Sequence, residues 1–150
     1  MRHTHDFKRF PELTNGQMTE FYFMSPHKQI TEDFRAKIVK VTDGDTVRVS
    51  WNQRDFTFPI RISDLESPEL DEKGGEESQS WLESQIMDKE VDIILHPSRV
   101  EKWGRLLADI FHRGFLVSEE SIRNFHGVPW SERESFPLPD FKKQLERFEI

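Results

Sequence analysis

Between residues 34 and 62, apolar side chains recur at every second position, and turn residues interrupt the repeat twice. A period of two places alternate side chains on opposite faces of an extended backbone, so these segments read as half-buried strands. Ala36, Ile38 and Val39 to Val41 read as the first strand, ended by Asp43-Gly44, a hairpin turn signal. In Thr46 to Trp51 the residues Val47, Val49 and Trp51 share a face. Asn52 to Asp55 forms the second turn, and Phe56, Phe58, Ile60 and Ile62 resume the alternation. The three strands form an antiparallel meander. Pro59 lies on the other face of the third strand and marks an edge or a bulge, because it has no N–H for a ladder.

The meander is followed by a loop, Ser63 to Gly75, rich in Pro, Gly and carboxylates. Trp81, Leu82, Gln85 and Ile86 fall at helical spacing and predict a helix over Glu76 to Lys89. Val91 to Leu95 reads as a fourth strand, Pro97 to Gly104 as a polar loop, and Leu106 to Phe111 as a fifth strand ended by Arg113-Gly114. A short helix follows to about Phe125, with Ser118 as its N-cap. Five strands with a helix between the third and fourth predict an α+β fold, a five-stranded OB-type barrel. The same order also allows an open sheet with a helix across one face.

This domain spans about residues 35–130. Residues 1–34 read as an extension packed on it, since a disordered arm rarely carries aromatics as dense as Phe7, Phe10, Phe21, Tyr22 and Phe23. Within it, Asn15-Gly16 reads as a turn. Residues 131–150 read as a tail whose Phe141, Leu145 and Phe148 form a small amphipathic helix.

Composition removes several chemistries. There is no cysteine among the 150 residues, which excludes a disulfide scaffold, a zinc ribbon, a thiolate metal centre and a Cys nucleophile. Thirteen Phe and four Trp can fill a core that 35% hydrophobic residues would otherwise leave thin. No apolar run approaches the roughly 20 residues of a membrane span, and Met1 to Phe10 has no apolar core of a secretory signal, so a cytoplasmic chain with no membrane partner is expected, as a monomer. The histidines (His3, His5, His27, His96, His112 and His126) lack carboxylates at ligand spacing and read as surface or packing residues. The net charge of -7 argues at first against a nucleic-acid protein. Much of it is local, however: Glu66, Glu69, Asp71, Glu72, Glu76 and Glu77 face only Lys73, whereas Arg99 to Arg105 forms a compact basic edge.

Three segments can carry chemistry. Asp43-Gly44-Asp45-Thr46 is a hairpin turn with a second carboxylate at the strand start, where a hard cation finds oxygen ligands. Arg61 lies on the strand face opposite Phe58, Ile60 and Ile62 and needs an anionic partner; Glu66, Ser67 and Glu69 follow just beyond the strand. In Lys102-Trp103-Gly104-Arg105, cations interleave with an aromatic that can stack on a base or ribose. Each segment alone is also consistent with an ordinary turn, ion pair or solvated loop.

Taken together and in order, the three segments resemble the staphylococcal nuclease-like (thermonuclease) family. Asp-Gly-Asp-Thr lies in the first hairpin, Arg61 stands eight residues before Glu69, Pro68-Glu69 keeps the family's Pro-Glu, and Lys102-Trp103-Gly104-Arg105 is similar to its Lys-Tyr-Gly-Arg. The resemblance covers about residues 35–130 and implies the family's OB-fold and a phosphodiester-hydrolysing endonuclease. It implies Ca²⁺ held by Asp45, by Glu66 in place of the usual Asp, and by the backbone carbonyl of Ser67 in place of Thr. It further implies Glu69 as the residue that activates or orients water, Arg61 and Arg105 on the phosphate, and Lys102 and Trp103 on the nucleotide, with Trp130 as a further aromatic. The implied substrate is DNA or RNA, cleaved to 3′-phosphate and 5′-hydroxyl ends. A non-catalytic OB module that binds nucleic acid or protein is the alternative; retention of Arg61, Glu69 and Arg105 favours the enzyme.

Overall fold

The computed structural model describes residues 5–133. The tail helix read at Phe141, Leu145 and Phe148 lies outside the described residues. Strands β1 (Phe34–Val41), β2 (Thr46–Ser50) and β3 (Phe58–Ile62) form the meander, with Val47 opposite Ile60 and Val49 opposite Phe58. All four of these side chains are fully buried, as the period-two pattern requires. A register shift between Ile38 and Lys40 lets both Ile38 and Val41, three residues apart, point into the core.

Helix α2 (Gly75–Ile86) follows, sinking Leu82 and Ile86 into the core against β1. Strands β4 (Glu90–Val100) and β5 (Leu106–His112) complete the sheet in the order β3-β2-β1-β4-β5. A parallel pairing of β3 with β5, Ile60 with Leu106 and Ile62 with Ala108, closes it into a barrel. The chain therefore has the five-stranded OB-fold of the staphylococcal nuclease type, and not the open sheet. Pro59 comes one residue before this seam begins and pairs with Arg48 on the other side, so its missing N–H costs no ladder bond. A two-residue strand β6 (Phe115–Leu116) adds to β5. Helices α3 (Val117–Arg123) and α4 (Trp130–Arg133) follow. No helix among the described residues is long and apolar enough to cross a membrane.

Several expectations are corrected. Asn15-Gly16 does not turn but opens a helix, α1 (Asn15–Phe21), because Thr14 and Gln17 form a reciprocal capping box. Strand β4 runs past Leu95, through a shift in its pairing, to Val100. Ser118 is buried within the first turn of α3 and caps nothing; the N-cap position is Leu116. Arg113 and Gly114 both adopt positive φ, the geometry of a tight hairpin turn, and so produce β6.

Arg99 does not belong to an exposed basic edge. It turns inward at a positive φ of 66° and holds the segment before β1. Its Nη1 donates to Ile30 O at 2.7 Å, its Nη2 to Leu13 O, and its Nε to Asn15 Oδ1 at 3.1 Å. The buried Glu12 carboxylate pairs with Arg54 and lies 3.6 Å from Arg99 Nη1. The Arg54 guanidinium in turn covers the Phe58 ring at 4.6 Å. This cluster joins the extension to β4 and to the β2–β3 turn. Removing one member of such a buried set leaves an uncompensated charge. Glu12→Ala is therefore expected to lower unfolding free energy by about 3–5 kcal/mol, read from urea denaturation; a loss below about 1 kcal/mol contradicts this role.

Candidate active site

The site begins at the β1–β2 turn. The Asp45 N–H donates to Asp43 Oδ1 at 3.0 Å, a side-chain bond that shapes the turn. A Cβ on Gly44 would stand 2.7 Å from Ser67 Oγ and 2.8 Å from Ser78 Cβ, so only glycine lets the turn lie this close to the loop after β3 and to α2. Asp45 is buried; its Oδ1 accepts from Thr46 Oγ1 at 3.0 Å and its Oδ2 from the Ser67 N–H at 3.2 Å.

Arg61, 8% exposed, fixes the end of β3 to the acidic loop. Nη1 donates to Ile62 O at 2.8 Å and Leu65 O at 2.7 Å. Nη2 is shared by two carboxylates, Glu66 Oε2 at 3.1 Å and Asp45 Oδ2 at 3.3 Å. The Glu66 backbone exchanges two 2.8 Å bonds with Val128, and Trp130 Nε1 donates to Leu65 O at 3.1 Å. These bonds carry Trp130 to within 6.0 Å of the Arg61 guanidinium.

The second wall is the β4–β5 turn. Glu101, which the sequence reading passes over, organises it. Its Oε1 accepts from the Trp103 N–H at 3.0 Å and the Arg105 N–H at 2.9 Å, and its two oxygens grip Arg105 Nε and Nη2 at 3.1 Å each. Arg105 Nη1 also donates to Thr46 Oγ1 at 3.2 Å, which links the two walls through Thr46 to Asp45. Lys102 Nζ lies 5.2 Å over the Trp103 ring, and Trp103 is 61% exposed.

Together these walls enclose an open cleft of about 840 Å³. Asp45, Arg61, Glu66, Glu69 and Trp130 line one side, and Lys102, Trp103 and Arg105 the other. Ser67 is not on the surface of the cleft; it is 1% exposed beneath it, and its Oγ has no hydrogen-bond partner. Asp43 also lines the cleft, although the sequence reading used it only as a turn residue.

The carboxylates crowd one another. Burial, then a hydrogen bond and charge repulsion from Asp45, raise the Asp43 carboxyl to about 7. Burial, followed by the charges of Asp45, Glu72, Glu66 and Asp71, pushes Glu69 up as well. Arg105 goes the other way: burial alone would lower it, but Glu101 and then Asp45 and Asp43 raise it, so it stays a cation. Among the described residues no group of three or more His, Cys, Asp or Glu is gathered tightly enough to enclose a metal. The donors are nevertheless all hard oxygens, and burial together with the neighbouring Asp45 holds the Asp43 carboxyl toward its protonated form. That donor set, Asp43 and Asp45 with Glu66 on the same cleft, fits a hard divalent cation.

No protein-family model matches the chain. It is 29% identical over 79 residues to a micrococcal nuclease of Shigella flexneri, covering 53% of this chain and 43% of that protein. It is 30% identical over 124 residues to the endonuclease Htp3 of Saprolegnia parasitica, covering 67% and 57%. An uncharacterized protein of Bacillus anthracis is 27% identical over 104 residues, covering 65% and 48%. The chain thus spans about half the length of the curated relatives it matches. Barrel and cleft define an OB domain of the nuclease type. With these relatives beside them, the chain is similar to the staphylococcal nuclease-like family.

The Asp43 shift has a stability consequence. A carboxyl raised in the fold contributes stability that is complete below the unfolded value of about 3.9 and lost as pH rises through about 7. In chelator, thermal melts of the wild type should therefore weaken from pH 5 to pH 8 relative to Asp43→Asn. Millimolar Ca²⁺ at pH 8 should raise the wild-type melting temperature more than that of the variant. Equal pH profiles for the two proteins contradict this account.

Proposed function

We propose that this chain is a calcium-dependent nuclease that hydrolyses phosphodiester bonds of DNA or RNA to 3′-phosphate and 5′-hydroxyl ends. The observation that carries this reading is a single cleft in which two guanidinium groups, Arg61 and Arg105, stand with Asp45, Glu66 and Glu69. The relatives named as nucleases point the same way. Phosphodiester hydrolysis gathers negative charge on a five-coordinate phosphorus, so its catalysis rests on positioning and fixed positive charge.

Each residue then has a task. Arg105, held rigid by Glu101, presents its guanidinium to a phosphate oxygen. Arg61 Nη2 already rests between two carboxylates, so phosphate binding there exchanges one anionic partner for another. Asp43 and Asp45 supply the charged oxygens for the cation, with Glu66 beside them and Ser67 positioning Asp45 through its N–H. Bound there, Ca²⁺ supplies electrostatic stabilisation of the phosphate. Glu69, raised toward neutrality, accepts the proton of the attacking water. Lys102 and Trp103 take the neighbouring phosphate and base, with Trp130 on the far wall.

On a labelled single strand with Ca²⁺, Glu69→Gln should lose about 10²–10⁴-fold in kcat. The wild-type rate should fall as pH drops through the raised Glu69 range, and Glu69→Gln should lose that contribution to the acid limb, leaving the part set by Asp43. Arg105→Ala should lose about 10²–10³-fold with its melting temperature little changed. Arg61→Ala is a poorer probe, because it also unties Ile62 and Leu65. Rates near wild type in both Glu69→Gln and Arg105→Ala sink this assignment of roles, whereas no Ca²⁺-dependent cleavage by the wild type leaves the non-catalytic module.

A further inference from the structure

A second groove, of about 550 Å³, opens directly beside the proposed active cleft. One side is the extension before the barrel, at Phe7, Lys8, Arg9 and His27; the other is the β2–β3 edge, at Arg48, Phe56 and Pro59. The two hollows share Trp103 and Arg105, so Trp103 stands between them. The extension is seated on the same turn. Gly104, at a φ of 77°, has Phe10 Cδ1 only 2.7 Å from where a Cβ would project, so the turn that carries Lys102 and Trp103 is moulded to Phe10.

The lining of this groove has the chemistry of a polyanion site. Lys8 and Arg9 are exposed at its rim, and Arg48 is held at its edge by a 2.8 Å bond to Thr57 O, against Asp55 alone. Its wall is aromatic, with Phe7 packed edge-on to His27 at 6.3 Å and His27 to Phe56 at 5.1 Å. A cationic rim with aromatic rings beneath it is how sequence-tolerant single-strand sites are built. The volume suits one or two nucleotides of a single strand. Direction follows from charge. The opposite wall of the cleft carries Glu66 and Glu69 and leads into the acidic loop, which repels a strand, whereas the Trp103 side leads to the cations.

We propose that this groove is a nucleotide subsite, built by the extension, that continues the active cleft past Trp103 and holds the single strand flanking the cleaved bond. The subsite rests on the nuclease reading for its purpose, but its binding is measurable without catalysis.

The test uses a fluorescein-labelled oligothymidylate 12-mer in chelator, titrated by anisotropy, together with turnover of a dinucleotide in Ca²⁺. The double variant Lys8→Glu/Arg9→Glu changes only exposed side chains, and its fold is checked by melting. The control, Lys37→Glu/Lys40→Glu, places the same charge change on β1 away from the groove. The proposal expects the Lys8/Arg9 variant to bind the 12-mer about tenfold or more weaker. It also expects a log affinity against log salt slope shallower by about 0.7 per lost contact, with dinucleotide turnover unchanged. Unchanged 12-mer affinity, an equal loss in the control, or a parallel fall in dinucleotide turnover overturns it. If the wild type cleaves neither substrate yet loses 12-mer binding only in the Lys8/Arg9 variant, the subsite stands and the nuclease reading falls.

Discussion

Arg61 is a charge placed where an apolar strand meets a loop, and the cleft depends on how that charge is satisfied. A guanidinium this buried costs several kcal/mol in lost hydration unless its N–H groups are met. Its partners are two backbone carbonyls and two carboxylates, drawn from β3, from the loop after it and from the β1–β2 turn. The same bonds that settle the charge therefore also fix the loop, bring Asp45 and Glu66 together and seat Trp130. Arg105 repeats the logic on the other wall, where Glu101 holds it and Thr46 connects it to Asp45. Both phosphate-binding candidates are held by hydrogen bonds to this chain's own groups, which positions the charge that stabilisation of a transition state requires.

The acidity of the chain acquires a place in this arrangement. Asp43, Asp45, Glu66 and Glu69 lie on one side of the cleft, and burial, with their mutual repulsion added to it, raises Asp43 and Glu69. The side that carries Lys102, Trp103 and Arg105 opens toward the cations of the extension. A polyanion therefore meets an asymmetric surface, guided from one flank and repelled from the other, although the net charge is -7.

What the sequence made legible is local. The meander was readable because a period of two survives in Val47, Val49, Phe58, Ile60 and Ile62, all fully buried. The residues of the cleft were readable through motif order, and all but Ser67 line it. What escaped depends on partners far away in the chain. Arg99 looks like one more cation in a basic run, yet it bonds to Ile30 and Leu13, 69 and 86 positions distant. Asp43 reads as a turn former until its burial beside Asp45 is known. The Thr14–Gln17 capping box was present in the sequence, but Asn-Gly masked it, since that pair more often turns a hairpin than opens a helix.

The proposed reaction is phosphodiester hydrolysis in this cleft, aided by a cation held at its carboxylates. The most direct measurement is incubation of the wild-type chain with end-labelled single strands of DNA and RNA, in Ca²⁺, Mg²⁺ or chelator, with the product ends identified. The account predicts cleavage in Ca²⁺ that chelator abolishes, leaving 3′-phosphate and 5′-hydroxyl ends. Cleavage that persists undiminished in chelator, or none above background in Ca²⁺, would contradict it.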